Sequence, residues 1–136
     1  MDAVYTTEAL STGAGRDGRA VVKDSDLDFT MTAPKEMGGS GEGANPEQLF
    51  AAGYAACFLG ALRLAAKNEK VNLDEASGIT AQIGIGKDVD GGFGLTAQLI
   101  GYLPGLDQDV ADDLMEKAHD VCPYSKATRG NIEVEL

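Results

Sequence analysis

The stretch "NPEQLFAAGYAACFLGALRLAAKN", residues 45–68, decides how the chain is read. Asn45 has the side chain of an N-cap, Pro46 suits a first helical position, and Gln48 stands where the partner in a capping box belongs. The pattern predicts one helix running to about Asn68. From Leu49 to Leu62 the residues are apolar on nearly every side, so this helix is expected to be buried all round. Ala51, Ala52, Gly53, Ala55, Ala56, Gly60 and Ala61 are small and would let another helix approach closely, including one from a second subunit. A single thiol, Cys57, lies in the middle.

Strand signals precede the helix. "AVYTTEAL" (3–10) has some β character, "GAGRDG" (13–18) is a turn by its glycines, and "RAVVKD" (19–24) follows. In "LDFTMT" (27–32) apolar and polar residues alternate strictly, as in a half-buried strand that Pro34 closes. "GGSGEGAN" (38–45) is expected to be a flexible glycine loop. After the helix, "GITAQIGIG" (78–86) and "GLTAQLIGYL" (94–103) predict two strands joined at the Asp90-Gly91 turn. Leu106, Val110, Leu114, Ala118 and Val121 follow helical spacing, and Pro123 ends that second helix. "NIEVEL" (131–136) is a last alternating strand. The expected order, βββ-α-ββ-α-β, is an α+β pattern in one domain, 1–136.

The chain has 136 residues, ordinary hydrophobic and charged fractions, and a formal net charge of −11. Such a surface repels phosphate backbones and anionic membranes, which argues against nucleic-acid and membrane partners. The first residues lack a basic segment followed by an apolar core, and the run Leu49–Leu62 is too short to span a bilayer. A cytoplasmic protein is expected. In a reducing compartment two cysteines are more often free or catalytic than a permanent staple.

Cys57 and Cys122 fall on or at the end of predicted helices, and their spacing does not show whether they meet. Each can be a small core residue, since free cysteine is among the most buried types. A metal reading falls short. His119, Cys122 and Cys57 are three ligands where structural zinc takes four, and no CxxC is present. His119 is expected at the surface near a helix C-terminus, where positive charge is favoured. The glycine loops match neither a P-loop nor a dinucleotide fingerprint. By default Arg16 and Arg19 are solvated loop charges, and Glu47 is a helix-start residue.

"NPEQLFAAGYAACFLGAL" (45–62), "CPYSKATRGNIEVEL" (122–136) and "GRDGRA" (15–20) together resemble the signatures of the Ohr proteins, the organic hydroperoxide resistance branch of the Ohr/OsmC family. "PKEMGG" (34–39) and "IGIG" (83–86) with "GGFGL" (91–95) resemble it in the right order, so the likeness covers nearly the whole chain. The chain departs from the pattern in "GAGRDG", where many relatives have two adjacent glycines before the arginine, and at Lys126, where asparagine is common. The resemblance implies an OsmC-like α+β fold, with β-sheets around a long central helix in an intertwined homodimer whose two sites lie at the subunit interface. It implies a thiol peroxidase that reduces alkyl and fatty-acid hydroperoxides to alcohols. Cys57 matches the peroxidatic cysteine, Cys122 the resolving cysteine that joins it in an intramolecular disulfide, Arg16 the arginine that steadies the thiolate, and Glu47 the carboxylate paired with that arginine. The expected reductant is a dihydrolipoyl group on a lipoylated protein, with no haem, flavin or metal cofactor.

Elementary chemistry adds constraints. A free thiol is only about 3% ionised at pH 7, so Cys57 needs a nearby cation; mid-helix, it gains little from the helix dipole. Full ionisation brings only about thirtyfold, so further acceleration must come from aligning the O–O bond and stabilising the alkoxide. The alkoxide's proton can come from the hydroperoxide, water or Glu47. Glu47, Phe50, Tyr54 and Cys57 share one helix face, yet Glu47 and Cys57 are about 15 Å apart along an ideal axis. One Arg16 touching both requires a non-ideal helix start or a Glu47 from the partner chain. Phe50 and Tyr54 offer apolar surface for a substrate's alkyl chain; Phe58 reads as core. Two alternatives stay open: an osmotically inducible OsmC-type peroxidase, against which the "CPYSKATRGN" ending speaks, and a thiol redox sensor or binding protein.

Overall fold

A computed structural model describes all residues, 1–136. The chain forms two compact units, residues 1–49 and 50–136. In the first, β1 (Ala9–Gly13), β2 (Gly18–Val22) and β3 (Asp28–Met31) make an antiparallel sheet in sequence order. The first strand lies later than the 3–10 stretch that its β character indicated. Its position is set by pairing, Ala9 opposite Val22 through Gly13 opposite Gly18, which outweighs propensity. The turn demands glycine: a Cβ on Gly18 would stand 2.1 Å from the Thr12 carbonyl oxygen.

After β3, a short 3₁₀ turn covers Lys35–Met37. The glycine-rich segment then returns beside β3 rather than hanging free. Gly41 N–H donates to the Ala33 carbonyl (3.0 Å) and Thr32 N–H to that of Ala44 (2.9 Å). Gly43 N–H donates to Thr32 Oγ1 at 2.6 Å.

Helix α1 (Pro46–Asn68) has the bounds its sequence predicts. Its capping box is reciprocal: Gln48 N–H donates to Asn45 Oδ1 (2.9 Å) and Asn45 N–H to Gln48 Oε1 (3.0 Å). By length and composition alone this helix could cross a membrane. One face packs into the core, with Tyr54, Phe58, Ala61, Leu62, Ala65 and Ala66 buried. The helix is not buried all round, contrary to what its apolar run predicts. Ala52, Ala56, Gly60 and Leu64, each four residues from the last, form an exposed stripe, and Leu64 is 52% exposed.

In the second unit, β4 (Gly78–Lys87) and β5 (Phe93–Tyr102) form a ten-residue hairpin, Gly78 opposite Tyr102. Gly91 takes the left-handed conformation that the turn needs (φ 87°). The last strand is shorter than predicted: β6 (Val134–Glu135) adds to β5 in parallel. Helix α2 (Gln108–Val121) carries Asp107 at its N-cap position. It buries Leu114, Met115 and Ala118 in one core with Tyr54, Phe58, Leu62, Ala97 and Leu99. Val110 and Val121, placed on that face by spacing, are 37% and 56% exposed; the inward row is Leu114, Ala118, Cys122. Beyond the predicted stop at Pro123 a third, short helix begins, α3 (Pro123–Thr128). Proline ends α2 because it cannot continue the hydrogen-bond ladder, and starts α3 because the first helical position needs no N–H.

Candidate active site

Two constellations hold the residues singled out by sequence, one in each unit. In the first, Arg16 stands on the β1–β2 turn and Glu47 in the first turn of α1. They form a bidentate pair within one chain: Nη1 donates to Oε2 at 2.9 Å and Nη2 to Oε1 at 2.7 Å. This fork-on-fork geometry is what planar guanidinium and carboxylate groups favour. The Glu47 side chain is 12% exposed and that of Arg16 is 38% exposed. Hydrogen bonding from Arg16 holds the Glu47 carboxyl below the usual carboxylate range. Two of the five guanidinium N–H donors are spent, leaving three for another acceptor. Arg19 pairs instead with Asp28 on the exposed sheet surface.

In the second unit Cys57, midway along α1, meets Cys122, the residue between α2 and α3. Their sulfurs lie 3.7 Å apart across 65 positions of sequence, and both thiols are free. Cys57 is half-buried and Cys122 fully buried. Burial pushes the Cys57 thiol above its ordinary value; a hydrogen bond from the Tyr124 backbone N–H acts the other way, and neighbouring Cys122 pushes it up again. Ionising Cys57 at neutral pH therefore takes positive charge beyond these neighbours.

Three aromatic rings, of Phe50, Tyr54 and Tyr124, pack against one another on α1 and α3. Phe50 is half-buried and stacks on Tyr124, ring centroids 6.2 Å apart and planes at 21°. Tyr54 is wholly buried, 5.7 Å from Phe50 and 5.8 Å from Tyr124 between centroids. Its ring belongs to the core, and its hydroxyl bonds Ser125 Oγ (3.0 Å) and Thr128 Oγ1 (3.2 Å). Phe58 is core, fully buried, as expected. Gly53 leaves room for Tyr124: a Cβ there would stand 3.1 Å from the Tyr124 hydroxyl.

Sequence reasoning did not single out Tyr124, Ser125 or Thr128, and it placed His119 at the surface. His119 is half-buried and its Nδ1 lies 2.8 Å from Ser125 Oγ. The missed signal was Pro123. Read as a helix start as well as a stop, it places Ser125 one turn after Cys122 on a new helix.

Known proteins match the chain along nearly its whole length. The family described as OsmC-like protein matches residues 39–136. An organic hydroperoxide resistance protein of Xanthomonas axonopodis pv. citri is 51% identical, over 98% of this chain and 93% of that one. The solved organic hydroperoxide resistance protein of Elizabethkingia anophelis is 50% identical with a TM-score of 0.92, covering 100% of this chain and 96% of its own. That of Legionella pneumophila is 44% identical with a TM-score of 0.92, over 99% and 97%. A helix-borne thiol facing a second thiol, in a fold shared along its whole length, thus accompanies the signatures read from sequence: the chain belongs to the Ohr/OsmC family, in the branch of the organic hydroperoxide resistance proteins.

Proposed function

We propose that this protein is a peroxidase that reduces organic hydroperoxides to alcohols with Cys57 as nucleophile. The observation that carries the reading is the 3.7 Å approach of the Cys57 and Cys122 sulfurs, in a chain 51% identical to a protein named for organic hydroperoxide resistance. The Cys57 thiolate attacks the terminal oxygen of ROOH. The S–O bond forms as the O–O bond breaks, leaving a sulfenic acid and an alkoxide. Glu47 is ionised at neutral pH, so it has no proton to give and the alkoxide takes one from water. The Cys122 thiol then attacks the Cys57 sulfur, an S–S bond replaces S–OH, and water leaves.

Arg16 is the proposed cation for the thiolate. Its charge is permanent, and its pairing with Glu47 fixes the guanidinium while leaving donors free. Phe50, beside Tyr124, is the proposed apolar contact for the alkyl chain, and Tyr54 supports it from the core. The disulfide is returned to thiols by exchange with a dithiol, for which we propose a dihydrolipoyl group on a lipoylated protein, with no bound cofactor. We further propose a cytoplasmic homodimer. The exposed stripe Ala52, Ala56, Gly60 and Leu64 supports this, because small residues admit a second helix.

Steady-state peroxide loss with an alkyl hydroperoxide and dihydrolipoamide tests the reading. Turnover in wild type, abolished in Cys57→Ser, supports it. Equal rates in wild type, Cys57→Ser and Cys122→Ser would reduce both thiols to packing.

A further inference from the structure

Cys122 is the hinge between two helices. It ends α2 and precedes α3 with extended backbone angles, φ −65° and ψ 124°. Where its sulfur points therefore depends on the angle between the helices, which two backbone torsions alone would fix poorly. Side chains close that angle. His119, three residues before the hinge, meets Ser125, three residues after it, Nδ1 to Oγ at 2.8 Å. Arg129 Nη2 donates to the His119 carbonyl at 2.7 Å, a second strap across the same bend.

The bend is also tied to the helix carrying the other thiol. Tyr54, three residues before Cys57, bonds Ser125 Oγ at 3.0 Å, and the same hydroxyl lies 3.2 Å from Thr128 Oγ1. Tyr54, Ser125 and Thr128 are at most 3% exposed, so water cannot substitute for a lost partner at low cost. Ser125 thus shares one bond with the end of α2 and one with α1, the helix that carries Cys57.

We propose that Ser125, held by His119 and Tyr54, is a positioning residue for the disulfide-forming step: it sets the effective concentration of the Cys122 thiol at Cys57. A disulfide needs the sulfurs at ~2.05 Å, so from 3.7 Å the step is a short closure if the hinge holds. With the clamp cut, the hinge samples orientations in which the sulfurs do not face each other, and the intramolecular reaction loses its entropic advantage. The peroxidase reading names the reaction this clamp serves, but the clamp is measurable without peroxide.

The test is equilibrium oxidation of the whole protein in glutathione redox buffers. Two thiols and one glutathione disulfide give the Cys57–Cys122 disulfide and two reduced glutathiones, counted by mass spectrometry after acid quench. The equilibrium constant is the effective concentration. Ser125→Ala is expected to lower it about tenfold, raising the disulfide's potential by ~30 mV. Tyr54→Phe, which cuts only the α1 anchor, is expected to lower it by several fold, and Ser125→Thr, which keeps the hydroxyl, to stay within about threefold of wild type. A purely structural role would lower the melting temperature of these variants without moving the constant. Constants for Ser125→Ala and Tyr54→Phe within about twofold of wild type would overturn the proposal. If wild type ignores alkyl hydroperoxide while the variants shift as expected, the clamp stands and the peroxidase reading falls.

Discussion

The sulfurs of Cys57 and Cys122 face each other at 3.7 Å, brought together by a mid-helix position on α1 and by the hinge between α2 and α3. Mild oxidation should therefore yield an intramolecular disulfide without unfolding. Closing a loop of this length stabilises by up to about 4 kcal/mol in the chain-entropy picture. Calorimetry of the reduced and oxidised forms checks this. The oxidised form should melt at higher temperature, and a crosslink that instead joins two chains on a non-reducing gel would refute the geometry.

The Arg16–Glu47 pair gives a signed pH dependence. Arg16 depresses the Glu47 pKa in the folded state. The stability from this pair is present above the ordinary carboxylate value and is lost as pH falls through the depressed one. Glu47→Gln should cost about 1 kcal/mol at neutral pH, the Arg16 side being partly solvated, and should approach zero cost in acid. Urea titrations of both proteins across that range measure it; a cost that grows on acidification has the wrong sign.

Core and surface on α2 are separable by truncation. Leu114→Ala, at a site 1% exposed, should cost about 2–5 kcal/mol. Val121→Ala, at a site 56% exposed, should stay within about 0.5 kcal/mol. Denaturant midpoints decide, and equal costs would restore the face that residue spacing alone indicates.

That contrast shows which parts of the fold were legible in sequence. Helix α1 was readable to the residue because its start is chemically local: Asn45, Pro46 and Gln48 complete a cap among themselves. The β4–β5 hairpin was readable because Asp90-Gly91 fixes its turn. Burial was less legible. Valine carries the same periodic signal at position 110 or 121 whether or not another element covers it, and β1 is placed by its partner strand. At the candidate site the cysteines stood out by residue type. Ser125, His119 and Tyr54 became a network only through α3, whose start was hidden behind a proline that also ends α2.

The proposed homodimer is open to a single substitution. Ala56 sits on the exposed stripe of α1, so Ala56→Arg should leave the chain folded by circular dichroism and shift sedimentation from dimer to monomer. A variant that sediments as wild type places the subunit contact elsewhere.

Loss of Arg16, the proposed cation, should act on ionisation. With burial pushing the Cys57 thiol up, Arg16→Ala should move the midpoint of its thiolate titration to higher pH and slow the reaction with hydroperoxide at neutral pH. Ultraviolet absorbance of the thiolate in a Cys122→Ser background follows it; an unchanged midpoint would take Arg16 out of the activation step.

The most direct test of the central claim is a single-turnover titration. Reduced protein is mixed with one equivalent of alkyl hydroperoxide, and remaining thiols and released alcohol are counted together. Loss of both thiols with formation of one equivalent of alcohol, and no reaction in Cys57→Ser, is the result this account predicts. Alcohol formed equally by Cys57→Ser, or thiols that survive the peroxide in wild type, would contradict it.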